Sequence, residues 1–270
     1  MDLDEIQLRF DPAEAAAYPL NLPLWQGLTT LPFTTPVTFL VGDNGAGKST
    51  LLEAIAVQFR LPALTQQSTD RHPLMHSARD LAKALKFVRR PEGSGQKKRR
   101  RHGFFFRADD VTGFVQGLAD TVAEHETLER HFDETLDGYG KMLATGAARA
   151  QHTALTDRYG DDPFAQSHGE LFLALLRSRL TAPGLYLLDE PETPLSPANQ
   201  IALLALLLEA ANNGSQIIAA THSPILMALP GATILDFDQH PPAAIAWEDV
   251  EHVSITRAFL SNPEAFLRHL

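Results

Sequence analysis

The chain has 270 residues, 23 basic and 33 acidic, with a formal charge of −10 at pH 7 and 44% apolar residues, which excludes disordered, collagen-like and fibrous classes for the chain as a whole. It has no cysteine, so disulfides and thiolate metal sites are excluded and packing alone must hold the fold. No apolar run reaches the ~20 residues that span a bilayer, and the acidic start Met1-Asp2-Leu3-Asp4-Glu5 lacks the apolar region of a secretory signal; a cytoplasmic protein without membrane insertion is expected.

In chain order, the first strong element is Val37-Thr38-Phe39-Leu40-Val41, an apolar, β-branched run that predicts a buried strand. It ends at Gly42-Asp43-Asn44-Gly45-Ala46-Gly47-Lys48-Ser49-Thr50, which fits G-x-x-x-x-G-K-[ST]. A helix is predicted next, because Leu51, Leu52, Ile55, Ala56 and Phe59 recur at three- and four-residue spacing. Strand, glycine-rich turn and helix together make a phosphate-binding loop. Glycines let the backbone curl so that successive N–H groups face a phosphate, and the helix N-terminus adds partial positive charge. Lys48 is expected to reach the β- and γ-phosphates, Ser49 to ligate Mg²⁺, and Thr50 to donate to the α-phosphate.

The middle of the chain differs in charge. Residues 60–165 hold 17 of the 23 basic residues and 15 acids, while the rest holds 6 basic and 18 acidic residues. A mainly helical, basic subdomain inserted within a single domain of residues 1–270 is expected. Inside it, Lys97-Lys98-Arg99-Arg100-Arg101 follows a Gly-Ser loop. That run reads either as a contact for DNA, RNA or an acidic partner through phosphate pairing, or as a solvated loop. Phe104-Phe105-Phe106 reads as a buried strand rather than a base-stacking platform.

Two further strands, Leu185 to Leu188 and Ile217 to Ala220, flank a Leu- and Ala-rich helix from Pro197 to Ala211 that stops near Asn212-Asn213-Gly214. Nearly all-apolar strands alternating with helices predict an α/β fold with a mostly parallel sheet covered on both faces. The strand Leu185-Tyr186-Leu187-Leu188 ends in Asp189-Glu190. Beside a phosphate loop, the aspartate suits a Mg²⁺ ligand and Glu190 a general base for the attacking water. Glu192, past Pro191, is the weaker candidate for that base.

The order of these motifs resembles the ATP-binding-cassette (ABC) ATPases, more closely the recombination and chromosome-maintenance branch, and compact bacterial ATPases of AAA type. Ser167-His168-Gly169-Glu170, 22 residues before Asp189, resembles the family's signature motif, usually S-G-G-Q. Pro194-Leu195-Ser196-Pro197 resembles the D-loop, and Thr221-His222-Ser223-Pro224 follows the last strand as the family's switch histidine does. The S-H-G-E and T-H-S-P forms look unlike the transporter branch.

The resemblance implies a P-loop ATPase head that binds ATP and Mg²⁺ and hydrolyses ATP. It also implies a head-to-tail homodimer in which Ser167 and Gly169 of one copy contact the γ-phosphate held by the other, while His222 hydrogen-bonds that phosphate. Ser167 reads equally as a helix N-cap paired with Glu170. His168 and Glu170 depart from the usual signature, and Glu170 must point away from phosphate. The family's Q-loop glutamine has no counterpart; Asp109, after Phe104-Phe105-Phe106, takes that place as a Mg²⁺ ligand or remains a surface acid. Arg9, Phe10 or Tyr18 would stack on adenine. Two functions follow: an ATP-driven switch acting on a partner or nucleic acid, or an ATP-sensing module with negligible turnover that recruits an effector such as a nuclease.

Overall fold

The structure, a computed structural model, describes residues 3–63, 76–89, 102–108 and 168–268. Its centre is a six-stranded sheet in the order β5-β6-β7-β3-β8-β9. The strands are β3 (Val37–Val41), β5 (His102–Arg107), β6 (Gly184–Asp189), β7 (Gln216–Ala220), β8 (Thr233–Asp236) and the short β9 (Ala243–Ala244). All pairings are parallel except β8 with β9. Strands from β5 to β8 are therefore flanked on both faces, which is why their sequences are almost unbroken apolar runs.

Alternation along each strand divides the interior into two cores. On one face Phe39, Phe104, Phe106, Tyr186, Leu188, Ile217 and Ala219 pack against two helices, α3 (His168–Arg179) and α4 (Pro197–Asn212). On the other, Leu40, Phe105, Leu185, Leu187, Ile218 and Ala220 pack against α1 (Lys48–Phe59) through Leu51, Leu52, Ile55 and Ala56. The second core also takes in a smaller antiparallel sheet, β2-β1-β4, made of β1 (Glu5–Leu8), β2 (Thr30–Pro32) and β4 (Leu85–Val88). The two sheets are tied by a reciprocal amide pair: Leu3 N–H donates to Gln216 Oε1 and Gln216 Nε2 donates to the Leu3 carbonyl, both at 2.8 Å.

Three predicted strands fall where their sequences place them, and Phe104 to Phe106 are buried in β5. α4 begins with Ser196 as N-cap, its Oγ accepting from Asn199 N–H at 3.3 Å, and Pro197 follows at the first helical position. The block 60–165 contributes the helix α2 (His76–Ala84), β4 and β5, and these two strands belong to the two sheets of the body. The rest of that block, with Lys97 to Arg101 and Asp109, lies outside the described residues. Among the described residues no helix is long and apolar enough to cross a membrane. The C-terminal part adds α5 (Pro224–Met227), α6 (Glu251–Ser261) and α7 (Pro263–Leu267).

Candidate functional site

The phosphate loop, the acidic pair and His222 each follow the C-terminal end of a parallel strand. Strand order sets which groups meet. β7 lies between β3 and β6. The segment leaving β7 therefore emerges between the phosphate loop at the end of β3 and the acidic pair at the end of β6. Register makes the alignment level: Leu40 pairs with Ala220, and Ala220 with Asp189. Open parallel sheets place ligands in this crevice.

The loop Gly42 to Gly47 turns on three glycines with positive φ, Gly42 (131°), Gly45 (87°) and Gly47 (97°). Gly47 is the N-cap of α1, and no side chain caps this helix. A Cβ on Gly47 would lie 2.2 Å from Leu24 Cδ2, so the loop also needs glycine to sit against the core. Asn44 and Gly45 are exposed and Ala46 is half-buried. Asp238, after β8, accepts the Asp43 N–H with both carboxylate oxygens at 2.9 Å and braces the start of the loop.

Lys48 is buried, and its Nζ donates to the carbonyls of Gly42 at 2.6 Å and Asp43 at 2.8 Å. The ammonium is thus held across the mouth of its own loop. Burial pulls its pKa below the ordinary lysine value, opposed by the carboxylates of Asp238, Glu190, Asp189 and Asp43.

Ser49 Oγ donates to Asp189 Oδ1 at 2.9 Å. Asp189 is only 7% exposed. Burial pushes its carboxyl up to about 6, against the opposing effects of the Ser49 hydrogen bond and the nearby Arg107 guanidinium. Arg107, opposite Asp189 in register, pairs with Glu53 of α1 at 2.9 Å. A hydroxyl and a carboxylate side by side are the hard oxygen donors that magnesium takes, and a divalent cation there would restore the ionised carboxylate that burial disfavours. The predicted metal pair Ser49 and Asp189 is therefore together.

Glu190 leaves the strand with φ 51°, a left-handed conformation uncommon outside glycine, held by its N–H donating to the Ala220 carbonyl at 2.9 Å. The turn swings its carboxylate, 44% exposed, out of the strand line, with Oε1 3.9 Å from His222 Nε2. His222 is half-buried. Burial first, then Lys48 and His252, hold its pKa below the ordinary histidine value.

Glu192 has a different place from a general base. Its Oε1 accepts the His222 backbone N–H at 2.6 Å, and burial raises its pKa. It holds the turn after β7 rather than facing the open side. Sequence reasoning also missed His252, whose Nε2 is 3.0 Å from His222 Nδ1. No motif marks a histidine 30 positions downstream; only the fold brings it near.

Of the base-stacking candidates, Tyr18 reaches the start of α1: its hydroxyl is 2.9 Å from Thr50 Oγ1, and the residue is 58% exposed. Phe10 packs edge-on against Trp25, with centroids 6.0 Å apart. Arg9 is exposed on the end of the small sheet.

The signature segment is described only from residue 168 on, without the His168 side chain; Ser167 lies outside the described residues. Gly169, in the first turn of α3, lies beside Pro194 just after β6, so that end of the helix is at the phosphate-loop end of the sheet. Gly169 is buried against Pro194 to Leu195 of its own chain, where a Cβ would meet the Pro194 carbonyl at 2.9 Å. Glu170 is exposed in the first turn.

The chain is similar to several known proteins. A family model described as "AAA domain" matches residues 22–72, and one described as "AAA domain, putative AbiEii toxin, Type IV TA system" matches residues 171–228. The hemin import ATP-binding protein HmuV of Nocardia farcinica is 30% identical over 241 residues, covering 86% of this chain and 74% of that protein. The cobalt import ATP-binding protein CbiO of Salmonella typhimurium is 26% identical over 250 residues, covering 89% and 84%. A solved nucleotide-free ATP-binding cassette from an ABC transporter superposes with a TM-score of 0.45 at 13% identity, covering 91% of this chain and 90% of that one.

Proposed function

Because the chain belongs to the ATP-binding-cassette family of ATPases, and so binds and hydrolyses ATP, we propose that the residues at the ends of β3, β6 and β7 divide that work among them. The glycine-rich loop and the uncapped start of α1 hold the phosphates through backbone N–H groups. Lys48 trades its two loop carbonyls for β- and γ-phosphate oxygens. Ser49 and Asp189 hold Mg²⁺, which when bound neutralises charge on the phosphate oxygens. Glu190 orients the attacking water and takes its proton. His222 donates to the γ-phosphate from the crevice between the two halves of the site. Tyr18 stands where adenine stacks.

The observation that carries this reading is the meeting of Ser49, Asp189, Glu190 and His222 around one end of the sheet, with Ser49 and Asp189 already in contact. Phosphoryl transfer needs little covalent help from protein; it needs placed charge and a placed water.

The full site takes two copies. In this proposal the segment Ser167 to Gly169 of one copy closes over the triphosphate on the other, and hydrolysis releases it. ATP favours the closed pair because its γ-phosphate touches both subunits, and ADP does not. The closed pair then acts on an associated protein effector or on nucleic acid near Lys97 to Arg101, as in the recombination and chromosome-maintenance branch. A second reading makes the chain the ATP-binding subunit of a membrane transporter; it is favoured by the similarity to the hemin and cobalt import proteins.

The test is turnover and light scattering with ATP for the native chain and Glu190→Gln. Native turnover, a loss of about 100-fold or more in the variant, and an ATP-stabilised dimer of the variant are expected. Equal turnover in both would remove Glu190 as the base. A variant that stays monomeric with saturating Mg-ATP would remove the two-copy site. Co-fractionation of a tagged chain with an integral membrane protein would favour the transporter reading.

A further inference from the structure

The histidine facing the γ-phosphate side is itself held by a second histidine. His222 Nδ1 and His252 Nε2 are 3.0 Å apart, with ring centroids at 4.8 Å and planes 53° apart. His252 stands in the first turn of α6, between Val250 and Val253, both buried in the core on the α4 face. Its position is thus set by packing.

Two ring nitrogens at this distance hold one proton between them, and it can belong to either ring, which gives two arrangements. In one, His252 Nε2–H donates to His222 Nδ1, and His222 keeps its own proton on Nε2. In the other, His222 donates from Nδ1 and leaves a bare lone pair on Nε2. The surroundings of Nε2 decide between them. That atom is buried and has no hydrogen-bond partner among the described residues, and the Glu190 carboxylate oxygen lies 3.9 Å away. A lone pair facing a carboxylate is repelled, whereas an N–H is attracted. The first arrangement is therefore the stable one. It is also the one in which His222 can donate to a phosphate oxygen.

We infer that His252 is a positioning residue for ATP hydrolysis: by donating its Nε2 proton to His222 Nδ1, it fixes the tautomer in which His222 offers its Nε2 proton to the γ-phosphate. The inference rests on the reading of His222 as the γ-phosphate contact. It adds a link from the nucleotide to α6, an element outside every motif of the sequence.

The experiment compares kcat and KM for ATP in the native chain, His222→Ala, His252→Leu, His252→Gln and His252→Glu, with thermal melts to check folding. Leucine removes the donor and keeps bulk. Glutamine keeps an N–H donor. Glutamate, acceptor only when ionised, favours the opposite tautomer. The expected result is a kcat loss of about 10- to 100-fold for His252→Leu, by analogy with partners that orient a metal-bound histidine. KM should stay within about twofold, because few ground-state contacts change. Glutamine should restore most of kcat and glutamate none. Long-range nitrogen–proton NMR on histidine-labelled native protein should show His222 protonated on Nε2. A Nδ1 proton there, or a native-like kcat in His252→Leu alongside a crippled His222→Ala, would overturn the inference. So would equal losses for leucine and glutamine in folded protein. If His222→Ala itself turns over normally, the underlying reading of His222 fails instead.

Discussion

Replacing Asp189 by asparagine should make the nucleotide-free protein more stable while destroying its use of magnesium. Asp189 is 7% exposed, and burial raises its carboxyl from 3.8 to about 6. A group whose pKa is raised on folding stabilises the native state only while it stays protonated. That contribution is complete below about pH 4 and is lost as pH climbs through about 6. At ~1.36 kcal/mol for each pH unit between those two values, the loss amounts to about 3 kcal/mol. Asparagine keeps the Oδ1 that accepts from Ser49 and has no charge to desolvate. Urea unfolding of both proteins in EDTA, from pH 4 to pH 8, should give curves that nearly coincide at pH 4, separate up to about pH 6, and then run parallel. Asparagine should be ahead by at most about 3 kcal/mol. With saturating Mg-ATP the order should reverse, because ligand binding stabilises only the protein that holds it. A variant no more stable than the native chain at pH 8 would refute the claim that burial of this carboxylate strains the fold.

Two predictions concern the scaffold. Leu203→Ala in α4 empties a fully buried position in the core below that helix and should cost about 3 kcal/mol in urea unfolding, with KM for ATP unchanged in the protein that remains folded. Gly103→Ala would put a Cβ 2.0 Å from the Leu185 carbonyl oxygen, at a φ of +151°. It should cost about 2 kcal/mol or more and speed amide exchange along β5 and β6; normal protection in both strands would contradict the close approach.

The residues of the phosphate loop were legible because their chemistry demands glycine at fixed spacing and a lysine and hydroxyl after it. The three central strands were legible because both faces are buried, leaving short apolar runs with sharp ends. The pair Asp189-Glu190 could be read because it interrupts such a run. The role of Glu192 could not. Its place past Pro191 made it the weaker base candidate, but the hydrogen bond it makes depends on the left-handed turn at Glu190 and on the His222 N–H 2.6 Å from Glu192. His252 was beyond sequence for another reason: it arrives from a helix with no periodic tie to the site. Charge alone suggested a separate block from residue 60 onward, yet Leu85–Val88 and His102–Arg107 complete the two sheets. Charge reports the surface of a block, whereas Phe104 to Phe106 of β5 are buried and carry none. Phe10 looked available for a base because aromatic type does not reveal that Trp25 is its neighbour.

The alternation of neighbours along β6 has one more consequence. Leu185 and Leu187 belong to one core, Tyr186 and Leu188 to the other. Sliding this strand by a single residue would exchange the two sets, forcing a tyrosine into the space shaped for a leucine on one side and leaving a void on the other. The sheet therefore acts as a ruler with fixed graduations, and the heights of Val41, Asp189 and Ala220 are read from it. The groups beyond the last graduation are held to it in turn, as Gly47 is against Leu24.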